Sequence, residues 1–322
     1  MDTPGVADAL APAWDAAAVA AGGLDEFCAS SDWAFAAALS FPNAGPPELF
    51  EGVDGAWVGL RRVMSGDGAR VLVGLDPSWG FGSPVVGSPL AAAGATSDAL
   101  RACQAVSPWD VAAISGQTRG APLTEAVISA LSPDHAMFVG PEEHRMQADL
   151  AGGLEEWWAA RSTRFRQRMR RIESEASEAG VAISLSDAAP AEMVGRAVAI
   201  EAGGWKGAAA TGLSSETMAA FAAGVLGRLA PTGRGRMWVA RRDGEDVGYL
   251  MGGIRGSTFR GLQLGHTSGA ATLGVGHLLQ MHAIRAAAAD GLLTYDLGMH
   301  MPYKQRWADR TATTFTLIVR RS

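Results

Sequence analysis

Four short stretches of the chain hold residue types able to do chemistry: RSTRFRQRMRR (161–171), EAGGWKG (201–207), LGVGH (273–277) and YDLGMHMPYKQRW (295–307). In LGVGH, Gly274, Val275, Gly276 and His277 open a helical pattern. A helix N-terminus presents unpaired amides and a partial positive charge, which suits a pyrophosphate, and glycines let the backbone approach it. The same residues also suit a tightly packed helix start. Asp296 closes an apolar strand pattern; its carboxylate either orients an amine and takes its proton, or fixes a loop. Tyr303 brings a phenol that donates at neutral pH, or rests buried with its hydroxyl satisfied. Lys304 and Arg306 are suited to phosphates or a carboxylate, or to the surface. Glu201, one helical turn before Trp205 and Lys206, either selects an amine or ends a helix in solvent. His266 ends a strand pattern, as a base or as a structural imidazole. Trp307 reads as core. His277, His282 and His300 make no metal set, and no metal is expected. Neither H-E-x-x-H nor G-x-S-x-G occurs, which excludes zinc protease and serine hydrolase chemistry of those types.

Six of the eleven residues in 161–171 are arginine, in a chain of 322 residues with net charge −6. Nucleic acid, a phosphate-rich cofactor and a solvated helix face are three readings of that concentration. The overall acidity argues against bulk binding to DNA or to an anionic membrane, while leaving local patches open. The two cysteines, Cys28 and Cys103, are too few for a disulfide framework and form no C-x-x-C pair, so a reduced, cytoplasmic setting is the expectation. No apolar run of about 18 residues is present to span a membrane. The start, MDTPGVADAL, lacks the basic residues of a signal peptide.

These residues need elements to hold them. In the first half, helical text at 24–41, closing at Pro42, is followed by a hairpin pattern at 56–63 and 69–76 and a possible strand at 83–87. A helix near 97–106, a strand at 109–115, a helix near 122–131 and a strand at 135–140 follow. One long helix is predicted over roughly 154–179, with Leu154, Trp158, Phe165, Met169 and Ile172 on one face. Arg161, Arg164, Arg168 and Arg171 flank that face and are expected to border a cleft between two lobes; Arg166 and Arg170 point to solvent. The second half reads strand (181–186), helices (190–202, 214–230), strand, Asp-Gly turn, strand (236–256), and strand (258–267). It ends with helix (274–291), strand (292–298), short helix (302–308) and strand (312–320). The first half repeats the later part of this order in worn form. The expected fold is α/β in two lobes, each a mixed, mostly antiparallel sheet flanked by helices. The expected division is 1–150, an inter-lobe arginine-rich helix at 151–180, and 181–322.

That order, with FRQRMRR on a helix, EAGGWKG after it, the glycine-mouthed helix and D-x-G followed by Y-K-x-x-W, resembles the GNAT acyltransferases of the Fem-like and BioF2-like (cellulose-biosynthesis) group. The resemblance covers about 154–310 and reaches the first half by layout alone, which makes the N-terminal lobe a degenerate copy. It implies two GNAT-like lobes and amide or ester formation from acyl-CoA, acetyl-CoA foremost, or from aminoacyl-tRNA in the Fem branch. It further implies that Gly274 to His277, with Lys304, hold the CoA pyrophosphate, although Ala271 stands where the family motif has Gln or Arg. It implies Tyr303 as proton donor to the departing thiolate, His266 or Asp296 as base, and Glu201, Trp205, Lys206 and Arg306 on the acceptor side. Two readings follow: N-acylation of a small amine by direct attack, and Fem-like transfer from charged tRNA. A non-catalytic scaffold is a third, with little in the sequence to support it. Oligomeric state is not encoded in any of these motifs.

Overall fold

The computed structural model describes residues 4–41, 44–209 and 212–321. Two compact units emerge: residues 1–143 with 313–322, and residues 144–312. The first contains α1 (Pro4–Ala21), α2 (Ser31–Ser40), β1 (Glu48–Glu51), β2 (Trp57–Met64), β3 (Arg70–Gly74), β4 (Val85–Val86), α3 (Pro89–Val106), β5 (Val111–Gln117), α4 (Pro122–Leu131) and the start of β6 (His135–Asp149). The second holds the end of β6, then α5 (Gly153–Ala159), α6 (Thr163–Glu178), β7 (Ala182–Leu185), α7 (Pro190–Ala202), α8 (Trp205–Ala208), α9 (Glu216–Leu229), β8 (Gly235–Arg242), β9 (Glu245–Arg255), β10 (Thr258–His266), α10 (Val275–Ala289) and β11 (Thr294–Met299). The closing strand β12 (Arg310–Arg321) begins in the second unit and lies mostly in the first.

In the first unit the order is β1-β2-β3-β5-β12, antiparallel except for the parallel β3–β5 pair, with β4 added beside β2. Alanine-rich α3 and α4 cover it with Val58, Leu60, Leu72, Ile114 and Leu317 in a shared core. Helix α2 ends at Ser40; Pro42, the expected stop, lies outside the described residues. In the second unit the order is β6-β11-β10-β9-β8-β7, antiparallel except for a short parallel β10–β11 pair. Strand alternation sorts its two faces. Trp238, Ala240 and Leu250 turn to α6 and α10, while Met237, Val239, Tyr249 and Met251 turn to α7 and α9.

The single helix expected over 154–179 and the solvent placement of Arg166 are corrected. The units divide at Glu143–His144, and the arginine-rich segment at 151–180 lies within the second unit, where α5 and α6 both pack on α10. The single helix expected over 154–179 is two helices. The chain leaves α5 because Arg161 turns inward: its guanidinium pairs with Asp309, donates to the carbonyls of Trp157 and Ala308, and lies 4.9 Å from the Trp157 ring. Ser162 then caps α6, its hydroxyl accepting from the Phe165 amide at 3.2 Å. Arg166, expected in solvent, donates instead to the carbonyls of Ala159 (2.8 Å) and Arg161 (2.7 Å) at the end of α5. The apolar stripe survives the break: Phe165, Met169 and Ile172 are buried, and Leu154 and Trp158 pack against them.

Candidate functional site

Strands β10 and β11 pair only at Thr258–Thr294, Phe259–Tyr295 and Arg260–Asp296. Beyond that point β10 runs on to His266 and β11 to Met299 without a ladder between them. At the same point the register of β10 against β9 shifts between Gly261 and Gln263, a bulge that takes residue 262 out of the pairing. The separation opens a cavity of about 610 Å³ bordered by residues 261–266, Leu297 and the mouth of α10. Side chains lining it include two lysines and two histidines but, among the described residues, no carboxylate.

Gly274 caps α10 with φ of 66°, a left-handed conformation that L side chains rarely adopt, and a Cβ there would lie 2.9 Å from Ile172. The amides of His277 and Leu278 both donate back to the Gly274 carbonyl, which leaves Val275 and Gly276 to supply the first amides of the open end. Gly274, Gly276, His277 and Ala271 line the cavity, whereas the Val275 side chain is fully buried in the core. A Cβ on Gly276 would sit 3.3 Å from the His266 ring, so His266 borders this helix mouth. His277 stacks on Trp307 with centroids 5.8 Å apart, and its Nε2 lies 3.4 Å from Arg168. Burial, and then the charges of Arg168, Arg306 and His266, push its pKa down to about 4, so the ring is neutral at pH 7. Arg164, Arg168 and Arg306 border a second, exposed pocket of about 380 Å³ with Ser162 and Phe165. None of these three arginines forms an ion pair with a described carboxylate. Arg306 thus stands apart from the acceptor-side residues with which it was grouped.

Asp296 and Glu201 are the two carboxylates singled out from sequence, and the structure buries both behind the cavity wall. Asp296 is 1% exposed. Its Oδ2 takes Arg145 and Arg260, each at 3.0 Å, and Gln147 at 3.3 Å, while Oδ1 accepts the Gly298 amide at 2.7 Å. So occupied, it holds β6, β10 and β11 together at the point where β10 and β11 part. Glu201, also 1% exposed, contradicts the solvated-helix-end alternative. It accepts from the Tyr249 hydroxyl (2.6 Å), the Leu213 amide (2.7 Å), Lys206 (3.1 Å) and Gln263 (3.2 Å). Lys206 also donates to the Leu264 carbonyl at 2.7 Å, on the bare length of β10. Burial lowers the pKa of Lys206 despite Glu201.

Lys304 and Tyr303 reach the cavity from the turn after β11. The Lys304 ammonium donates to the Met299 carbonyl at 2.9 Å and lies near Gly298, which in turn faces the Gly261 carbonyl. It therefore occupies the end of the opening nearest the bulge. Burial, followed by the charge of Arg260, brings its pKa down to about 8. Tyr303 is partly exposed, and burial of its hydroxyl raises its pKa. Trp205 is exposed at the rim.

Of the residues named from sequence, the cavity gathers Trp205, Lys206, His266, Gly274, Gly276, His277, Tyr303 and Lys304. It also uses residues that sequence reasoning passed over: Leu262, Gln263 and Leu264 on β10, Met218 and Gln280; Trp307, read as core, is buried in the core and also lines the cavity. Glycines at 261 and 265 around that strand were the available signal, since glycine within a strand marks a bulge or a close approach.

The cavity thus joins an open helix end to two parted parallel strands. Residues 163–305 match the family model described as the acetyltransferase (GNAT) domain, so the chain carries a GNAT domain and is an acyltransferase. Similar solved structures include FemX, 12% identical over 96% of this chain and 95% of that one with a TM-score of 0.62. L-PGS from Bacillus licheniformis is 12% identical over 99% and 92% with a TM-score of 0.59. A tandem GNAT protein from the clavulanic acid biosynthesis pathway is 12% identical over 98% and 95% with a TM-score of 0.50. At such identities the likeness is one of fold: two GNAT-like lobes, Fem-like in layout. The first is degenerate, since α3, which joins the parallel pair β3–β5 as α10 joins β10–β11, begins with Ser88, Pro89 and Leu90 where α10 has Gly274, Val275 and Gly276. No curated protein sequence matches the chain significantly. Among the described residues no His, Cys, Asp and Glu cluster is arranged to hold a metal, and no helix is long and apolar enough to cross a membrane.

Proposed function

We propose that the second unit moves an acyl group from acyl-CoA, acetyl-CoA foremost, to the amine of a small metabolite in the cytoplasm. The observation that carries this reading is the opening between β10 and β11, floored by unpaired β10 backbone and ending at the glycine mouth of α10. On this reading the amides of Val275 and Gly276 meet the pyrophosphate, with Arg168 and Arg306 supplying the positive charge that Ala271 lacks. The backbone of 262–266 runs beside the pantetheine arm, and the thioester lies at the bulge.

The amine attacks the thioester carbonyl directly: a C–N bond forms, the C–S bond breaks and the sulfur leaves as thiolate. Backbone amides at the bulge stabilise the oxyanion, and the Lys304 ammonium adds charge at that end. Tyr303, beside Lys304, returns a proton to the sulfur. The amine gives up its own proton at the rim, where Trp205 and Tyr303 meet solvent. Lys206, with two of its N–H groups on Glu201 and Leu264, keeps one for the acceptor. His266 lies four residues beyond Leu262, about 13 Å at ~3.3 Å per residue. That distance supports a place at the phosphate end and speaks against His266 as the base. Asp296, engaged by two guanidiniums, acts as an anchor for the strands. Isothermal titration with CoA and acyl-CoAs of several chain lengths tests the reading; no binding of any of them overturns it.

A second reading, transfer from aminoacyl-tRNA as in the Fem group, is favoured by Ala271 and by the pocket of Arg164, Arg168 and Arg306. Its mark is binding of charged tRNA that weakens steeply with salt. A flat salt response excludes it.

A further inference from the structure

Two buried donors on the cavity wall have no partner within the protein. Trp307 is fully buried, yet its indole Nε1 finds no acceptor. Gln280 is 7% exposed and lies beside the Tyr295 hydroxyl, yet its Nε2 has no acceptor in hydrogen-bond geometry. Both residues line the cavity. A buried donor without a partner is rare, because it forfeits its hydration without return. Here two of them occur together, in a cavity whose described lining offers no carboxylate to accept from them.

Their placement has an order. Helix α10 presents its first amides at Val275 and Gly276. Trp307 stacks on His277 at the first turn. Gln280 follows His277 by three residues on the same helical face, about 4.5 Å further from the mouth at ~1.5 Å per residue. A ligand lying along α10 therefore passes backbone amides, then the Trp307 side chain, then the Gln280 side chain. Such a wall suits a molecule with anionic oxygens at one end and carbonyl oxygens spaced along a narrow arm.

We propose that Trp307 Nε1 and Gln280 Nε2 are binding donors for the amide carbonyl oxygens in the arm of the acyl donor. This deepens the acyl-CoA reading above and rests on it. The two side chains position the donor and take no part in bond making. Neither finds an acceptor within the described protein, which leaves each available to an acceptor on the ligand.

The test compares the full chain with Gln280→Met and Trp307→Phe. Acetyl-CoA affinity is measured by titration calorimetry and stability by urea unfolding without ligand. Each variant is expected to bind about 3- to 10-fold more weakly, the worth of one neutral hydrogen bond. Gln280→Met, which removes an unsatisfied donor and keeps the side chain's length, is expected to unfold at the same or a higher urea concentration. A glutamine that merely supports Tyr295 would give the reverse: earlier unfolding and unchanged affinity. Trp307→Phe removes packing volume, so Gln280→Met decides where that variant folds poorly. If the wild type binds and Gln280→Met binds within twofold of it, this inference fails and the acyl-CoA reading stands. If the wild type does not bind, both fall.

Discussion

Replacing Asp296 with asparagine separates an anchoring carboxylate from a catalytic one. The Asp296 side chain is 1% exposed, and the two guanidiniums that share its Oδ2, those of Arg145 and Arg260, are each 3% exposed. Asparagine preserves the volume and still accepts the Gly298 amide through Oδ1. It removes the negative charge, and a carboxamide N–H in place of Oδ2 faces two cations. Removing one partner from a buried ion pair costs about 3–5 kcal/mol. For a unit of this size, each kcal/mol corresponds to about 2–4 °C in melting temperature, so the fall should be roughly 6–20 °C. Urea unfolding followed by tryptophan fluorescence reads it directly, because Trp157, Trp238 and Trp307 all lie in the core of this unit. Acetyl transfer at a temperature where the variant is folded supplies the second readout, and activity should fall with the loosened strands. An unfolding free energy within about 0.5 kcal/mol of wild type, together with abolished transfer, would refute the anchoring argument and return Asp296 to the role of proton acceptor.

Two pH dependences follow from the same unit. His277 is held near pKa 4 in the folded chain against 6.5 as a free side chain, so the unfolded chain binds more protons between those values. Its contribution is complete above pH 6.5 and is lost as pH falls toward 4, and His277→Gln should flatten that limb of the stability profile. Lys304, brought down to about 8, is charged below that pH; donor affinity should fall as pH rises through 8, and Lys304→Met should abolish the dependence in a titration series.

The strand and helix order of the second unit was legible because its periodicities are local. The apolar run at 237–240, the alternating residue types over 258–266 and the helical spacing over 190–202 and 275–289 each mark an element from neighbouring residues alone. Glycines at 274 and 276 marked the helix mouth for the same reason: a left-handed cap and a close approach are properties of one residue and its neighbours. The break between α5 and α6 was not legible. Arg161 and Arg166 leave the solvent for carbonyls and for Asp309, which only the fold brings near.

The candidate site divides along the same line. Residue type and order along the chain determined that this is a two-lobed α/β acyltransferase and that Gly274, Gly276, Lys206, Tyr303 and Lys304 border one place. Tertiary structure alone decided what each can do there. It set Asp296 between two arginines and Glu201 among four donors, so that neither carboxylate faces the cavity. It set His266 beside Gly276 at the mouth of α10, and it left Trp307 Nε1 and Gln280 Nε2 without a partner within the described protein. Reactivity depends on burial and on partners more than 30 residues away in sequence, as Arg145 and Arg260 are for Asp296, and a single chain read in order carries the residue types but not those distances.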